Sequence, residues 1–462
     1  MSDPLTESAG GREPRHLAAT SRSRSIGHFG RAYETYAILL LMLVQALSIL
    51  DRSVINILAE PIRHEFHLRD WQLGALTGSA FAIFYTVLGI PIARVAEHAN
   101  RSRVIAASIV LWSLATMAAG LVSSFVQLAI SRLMVGVGEA GCSPAAYSLI
   151  TEVVPRERRT SAIALYSVGI SVGTFLGMAV GGFVADAYGW RMAFIVAGAP
   201  GLVIGLLVAV SLVEPRTKVR ADAPQEVTPS LGVATRELVS KRVFWLVALA
   251  TGVLSLNGYA RAAFITSFYL RTASPQVKVM ADATGGLFGK HVGSMGFLGL
   301  ALGIATGVFG ILGTLWGGWL TDRWARRDMR AYVYVPLVTT IVYIPCGLAI
   351  LLVPNVAISL LCACVTGFFA SAGVAPVFAS IQTIVHPRTR ATASSALIFI
   401  INIVGLALGP LLLGLVSDAL SSAGLQGGEG LRWALICAQL TGLVSIVLYW
   451  LASFRFLREV VA

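Results

Sequence analysis

The sequence predicts an all-α polytopic membrane protein, with twelve transmembrane helices in two six-helix bundles. Four observations carry that expectation. Of the 462 residues, 56% are hydrophobic and only 13% charged, about half the charged share of a soluble domain. Apolar runs of about 20 residues, the length that crosses ~30 Å of hydrocarbon, recur from end to end. Lys and Arg gather in alternate connections, 25 of the 35 on one side and 7 on the other, leaving Arg52, Arg132 and Arg261 inside spans. Finally, the chain repeats: Pro155, Arg156, Arg158, Gly173, Gly177, Gly182 and Asp186 recur as Pro387, Arg388, Arg390, Gly405, Gly409, Gly414 and Asp418, at a constant offset of 232 residues.

Taken in order, residues 1–33 are polar, rich in Ser and Arg, and lack an apolar core segment; they read as a disordered cytoplasmic tail rather than a signal peptide. The spans fall near 34–59, 71–96, 102–122, 125–152, 159–187 and 192–212, then 243–270, 293–320, 331–353, 355–384, 391–418 and 432–454. Residues 34–213 thus form the N-terminal bundle, 214–241 a cytoplasmic linker, 242–456 the C-terminal bundle and 457–462 a short tail. A second long connection, 272–292, lies outside. By the positive-inside rule the Arg-rich side is cytoplasmic and holds both termini.

Composition also excludes functions. The net charge of +12 is distributed as topology requires, with no basic stripe on a soluble domain, so no nucleic-acid partner is expected. Cys142, Cys346, Cys362, Cys364 and Cys437 all fall in spans, without metal-ligand spacing, and read as small apolar residues. No serine–histidine–acid set, metal cluster or nucleotide loop is present, so an enzyme, a metal site and a bound cofactor are not expected, nor is an ATP-driven pump.

The candidate site is built from charges inside the spans. Span one, LLLMLVQALSILDRSVIN from Leu39 to Asn56, carries Asp51 and Arg52 side by side. A charge at membrane depth costs at least ~2.5 kcal/mol and marks substrate or proton pathways. Span four adds Arg132 and Glu139, seven residues and so about 10.5 Å apart on one helix face. Asp51, Arg52 and Arg132 reach a similar depth, with Glu139 nearer the cytoplasm. Guanidinium groups there would hold an anionic headgroup through bidentate bonds, and a buried acid, Asp51 or Glu139, would take up and release a proton. The other reading of the same four charges is a self-neutralised cluster that ties helices together and binds nothing. In the second half, Asn257, Tyr259 and Phe368 are candidate substrate contacts, beside Phe264, Phe369 and Asn402, although each aromatic taken singly also fits a packing or lipid-facing role. Arg261 lies near the outer end of its span, where a long cationic side chain snorkels to the interface.

The stretch GWLTDRWARR, Gly318 to Arg327, resembles the signature loop of the major facilitator superfamily. That resemblance implies the major facilitator fold and a cytoplasmic latch in which Gly318, Asp322, Arg323 and Arg326 gate the inner face. The first-half copy, from Ala93 through Glu97, His98, Arg101 and Arg103, departs from the pattern: Ala, Glu and His stand for Gly, Asp and Arg, which implies a weaker latch. A topogenic basic loop without a gating role is the plainer alternative. The seams Gly169, Gly173, Gly177, Gly181 and Gly182, and Gly405, Gly409, Pro410 and Gly414, resemble the family's Gly-rich helix. Asp51–Arg52, then RxxxGxGEAGCSPAAYSLI from Arg132, PRERR from Pro155 and YGWRMAF from Tyr188, look like the Spinster branch. What that implies is a proton-coupled transporter of a lysophospholipid- or sphingosine-1-phosphate-like anionic amphiphile working by alternating access. Asp51 would be the proton-linked acid, Arg52 and Arg132 would face the phosphate, and Glu139 would be their exchange partner. Short loops and an Ala/Gly/Arg-rich composition look like those of a bacterial member, a monomer in the inner membrane whose partners are protons, lipids and its substrate. The apolar, aromatic second half suits the chain of such an amphiphile. A multidrug/proton antiporter would favour an acid-only cavity, and a transporter of small organic anions or sugar phosphates would match the arginines but not the apolar half.

Overall fold

Backbone polar groups have no water to bond in hydrocarbon, so a chain this apolar crosses as helices. The computed structural model describes residues 30–155, 158–215, 231–289 and 291–460, and all regular structure among them is helical. Among the described residues twelve helices are long and apolar enough to span: Arg31–Phe66, Asp70–Gly89, Arg101–Ala119, Phe125–Val153, Ser161–Tyr188 and Trp190–Ser211 in the first half. Arg242–Thr272, Ser294–Ala325, Ala331–Leu352, Val356–Ile384, Pro387–Ser422 and Glu429–Glu459 follow in the second. The expected tail 1–29, most of the linker (216–230) and residues 461–462 lie outside the described residues. The end of the linker is a short helix, Leu231–Ser240, pinned by Glu237, which accepts from the His386 backbone N–H and the Thr389 hydroxyl, both at 2.8 Å. The connection at 272–292 is likewise built around a helix, Ser274–Phe288.

Glycine spacing sets the packing. A Cβ on Gly169, Gly173 or Gly177 would lie 2.5, 2.2 or 2.7 Å from the carbonyl oxygens of Met42, Ala46 and Leu50. Span five therefore lies directly against span one, turn upon turn, as small residues allow. Within the halves, span three packs on span six and span seven on span twelve; between the halves, span two meets span eleven and span five meets span eight.

Two spans are broken. Span four divides into Phe125–Glu139 and Cys142–Val153, and span ten into Val356–Ala372 and Val374–Ile384. Gly141 and Gly373 sit at the breaks, and Pro144 and Pro376, three residues on, withhold the N–H that would continue the helix. Both pairs stand at the 232-residue offset. Wider π-helical turns occur at Ala75–Ser79, Ile304–Val308 and Ile401–Ala407. Such turns loosen the backbone ladder, and the Ser79 hydroxyl donates to the Ala407 carbonyl oxygen at 2.6 Å, joining the two halves at mid-depth.

The remaining hydrogen bonds and ion pairs that join the halves, among the described residues, lie toward the face remote from the termini. Arg271 donates to Glu60 (2.9 and 3.0 Å) and to Asp70 (both 2.9 Å), and Ser417 donates to Asp70 at 2.6 Å. The distal face is closed.

Candidate functional site

Successive residues on a helix are 100° apart, so Asp51 and Arg52 cannot face the same way. Ile49, Arg52, Ser53 and Asn56, spaced i, i+3, i+4 and i+7, form the stripe of span one that lines a cavity of about 280 Å³ between the two halves. Asp51 is off that stripe. It points into the N-terminal bundle, 2% exposed, where one carboxylate oxygen accepts from Thr116 at 3.1 Å and the other has no partner among the described residues.

Arg52 is the link between cavity and core. Its guanidinium bonds Glu139 at 2.5 and 2.6 Å and lies over the rings of Phe81 (4.5 Å) and Tyr85 (4.4 Å), a stacked arrangement that arginine favours. Glu139 ends the first half of the broken fourth span. It also accepts from Ser48 at 2.8 Å, while its second oxygen has no partner. Arg132 lines the cavity. Its hydrogen bond is a long one, 3.4 Å, to the Asp51 backbone oxygen, and its Nε is unpartnered.

Sequence reasoning placed Arg261 at the membrane interface; the structure corrects this. Arg261 lines the same cavity from the C-terminal bundle, with its guanidinium carbon 5.0 Å from the Tyr343 ring centre and one terminal nitrogen unpartnered. It lies eleven residues before the end of a 31-residue helix, with its side chain turned to the cavity. The expected end of the span, residue 270, is within two residues of the observed Thr272, so the rotation of the helix rather than its end decides where Arg261 points.

Tyr259 lines the cavity as expected, beside Phe81, Ile170, Met178 and Leu406. Three other expected substrate contacts do not. Glu139 is 1% exposed, held behind Arg52. Asn257 is buried between helices, donating to the Ala438 carbonyl oxygen (2.9 Å) and accepting from the Tyr343 hydroxyl (2.5 Å); it supports the ring beneath Arg261. Phe368 packs on Trp316 (5.4 Å) and Phe369 (5.2 Å). Asn56 and Thr77 are polar lining residues that the sequence reading missed. Asn56 follows Arg52 by one turn on the same face, the signal that would have found it.

At the termini-side face the expected gating residues are not joined into one latch. Arg101, 1% exposed, bonds Ser148, Glu152 (2.6 and 2.7 Å) and Glu214, so it ties together elements of the first half alone. The Arg103 backbone N–H bonds Asn100. The side chains of Asp322 and Arg326 make no hydrogen bond or ion pair with another described residue, Arg323 lies 5.9 Å from the Trp319 ring centre, and a Cβ on Gly318 would meet nothing within 4 Å. The side chains of Glu97 and His98 lie outside the described residues.

Residues 41–327 match the family model described as Major Facilitator Superfamily. A protein named MFS-type efflux pump, from Mycolicibacterium smegmatis, is 33% identical over 92% of this chain and 94% of its own length. The sphingosine-1-phosphate transporter SPNS2 of Xenopus tropicalis is 26% identical over 82% of this chain and 72% of its own. Among solved structures, a bacterial homologue of the human lysosomal transporter Spinster, in an inward-facing, unoccupied conformation, superposes with a TM-score of 0.81. It is 27% identical, and the match covers 94% of this chain and all of that one.

Proposed function

The chain belongs to the major facilitator superfamily, as a multi-pass membrane transporter related to Spinster proteins and not an enzyme, and from that premise we propose that it moves an anionic amphiphile of the lysophospholipid or sphingosine-1-phosphate type, coupled to protons. The observation that supports this reading is the convergence of three guanidinium groups, from Arg52, Arg132 and Arg261, on one cavity between the halves. Of the three, Arg52 has a carboxylate partner within 4 Å; Arg132 and Arg261 have none among the described residues. An unpaired cation out of water costs several kcal/mol, and a phosphate between the halves would recover that cost through bidentate bonds. The apolar and aromatic remainder of the wall suits a hydrocarbon chain.

Coupling follows from Arg52. An arriving anion competes with Glu139 for its guanidinium. Glu139, released into a buried site with one oxygen already unpartnered, then favours the protonated form. Asp51, buried without an ion pair, is the second proton carrier. The chain is a monomer in a bacterial inner membrane with its termini in the cytoplasm, and the closed distal face supports an inward-open state. The three arginines disfavour cationic drugs as cargo, and the apolar wall disfavours a bare sugar phosphate.

The test is flux in proteoliposomes with labelled lysophospholipid, sphingosine-1-phosphate, a sugar phosphate and a cationic dye, with and without a pH gradient. Gradient-accelerated flux of either lipid is expected. Flux of the dye alone would overturn the reading. In Asp51→Asn, lipid flux should persist and its acceleration by the gradient disappear; undiminished acceleration would clear Asp51 of proton transfer.

A further inference from the structure

The distal face is held by two contacts that are copies of each other. In the first, the Asp186 carboxylate at the end of span five accepts the backbone N–H groups of Met295 (Oδ1, 3.3 Å) and Gly296 (Oδ2, 2.6 Å), at the start of span eight. In the second, the Asp418 carboxylate at the end of span eleven accepts the N–H groups of Asp70 (Oδ1, 3.0 Å) and Trp71 (Oδ2, 2.9 Å), at the start of span two. The acids stand at the 232-residue offset. Their partners stand at an offset of 225, the register that also aligns Ala93 with Gly318.

The backbone beneath repeats as well. One turn before each acid is a glycine, Gly182 or Gly414, on which a Cβ would lie 2.3 Å from the carbonyl oxygen of Met295 or Asp70 respectively. Each glycine lets the amino end of the opposing helix seat, and each acid, one turn on, caps its free N–H groups. An anion at that end is favoured by the helix dipole and by otherwise unpaired donors. Both contacts cross between the halves, so both must part when the distal face opens.

We propose that Asp186 and Asp418 are paired bolts of the distal gate, duplicated with the two halves and released together in the outward-open state. This goes beyond the transport reading and does not depend on what the cargo is. The two are unequal in their surroundings. Around Asp418 the seam is reinforced by Arg271 and Ser417 on Asp70, whereas the carboxylate of Asp186 lies against Gly293, where a Cβ would sit 2.3 Å from its Cγ.

The experiment is spin-label distance measurement on the full chain in liposomes, cysteine-free, with labels at Ala187 and Ser422 on the distal face and a second pair at Arg103 and Met329 on the other. Asp186→Asn and Asp418→Asn should each raise the outward-open to inward-open ratio about tenfold, as loss of a charge-assisted hydrogen bond implies, and the double variant should raise it further. The distal distance should lengthen while the termini-side distance shortens, a reciprocal change that unfolding would not produce. Gly293→Ala, which crowds Asp186 without altering its charge, should move both distances in the same direction as Asp186→Asn. Unchanged populations in the double variant, or in Gly293→Ala together with Asp186→Asn, would overturn the proposal.

Discussion

The fourth and tenth spans break at the same place and differ in what they carry there. Residues 139–144 read EAGCSP and residues 371–376 read SAGVAP. Glycine and proline recur, so both helices are interrupted. The chemistry does not recur: Ser371 stands where the first copy has Glu139, and Cys364 where it has Arg132. Duplication has repeated the backbone device and left the acid–base pair in one half. Backbone interruption near mid-membrane marks binding regions in transporters, but it does not by itself supply charge. The second half contributes its cation from elsewhere, Arg261 on span seven, supported by Tyr343 and Asn257.

Five substitutions probe this asymmetry. The largest effect is expected of Arg132→Ala, which removes a buried cation facing the cavity: lipid-anion flux should fall at least about a hundredfold with the fold intact, measured by flux beside thermal unfolding. Near-normal flux would show that the first half's charge is structural. Arg261→Ala should cost about tenfold in affinity, since a partly exposed cation is worth less than a buried one; a loss equal to that of Arg132→Ala would make the two halves equivalent and break the contrast. Glu139→Gln keeps the side chain's size while freeing Arg52. Anion binding should be retained or tightened and the pH-gradient response flattened, and a response as steep as that of the parent would remove Glu139 from the coupling. The smallest effects separate the two breaks as packing devices. A Cβ on Gly141 would lie 2.5 Å from Ile92, whereas one on Gly373 would come no nearer than 3.1 Å to Thr339. Gly141→Ala should therefore destabilise by about 1–3 kcal/mol, and Gly373→Ala by less than about 1 kcal/mol, or slightly stabilise, read as shifts in the thermal midpoint in detergent.

Much of the architecture was legible in the residues. Span number follows from apolar length, and the twofold plan from Gly173, Gly177, Gly182 and their copies. That Asp51, Arg52, Arg132 and Glu139 would cluster was legible from the cost of isolating any of them in hydrocarbon. Their division of labour was not. Asp51 and Arg52 are neighbours in sequence, yet one faces the core of its bundle and the other the cavity, and only the packing of span one, chiefly against spans five and six, decides which. Phe368 and Asn257 have the right chemistry and depth but turn toward neighbouring helices, because a span buried on several sides has no single inward face to read. Arg261 is a related case: span seven ends at Thr272, within two residues of the expected 270, and it is the rotation of the helix that turns Arg261 to the cavity. The pairing of Asp186 with Asp418 was visible as a repeat, but nothing in one dimension showed that each would cap a helix of the other half.

By itself, then, the sequence determined that this chain crosses a membrane twelve times, in two related halves, with its buried charge concentrated in the first. Apolar length, the distribution of arginine and the spacing of glycine act locally along the chain and need no partner to be read. Which of those charges meets the central cavity, and which face of the molecule is shut, was decided by the tertiary structure, because both depend on the rotation of each helix about its axis and on contacts between residues far apart in the chain, 65 to 91 positions among the buried charges and 109 or more across the distal face.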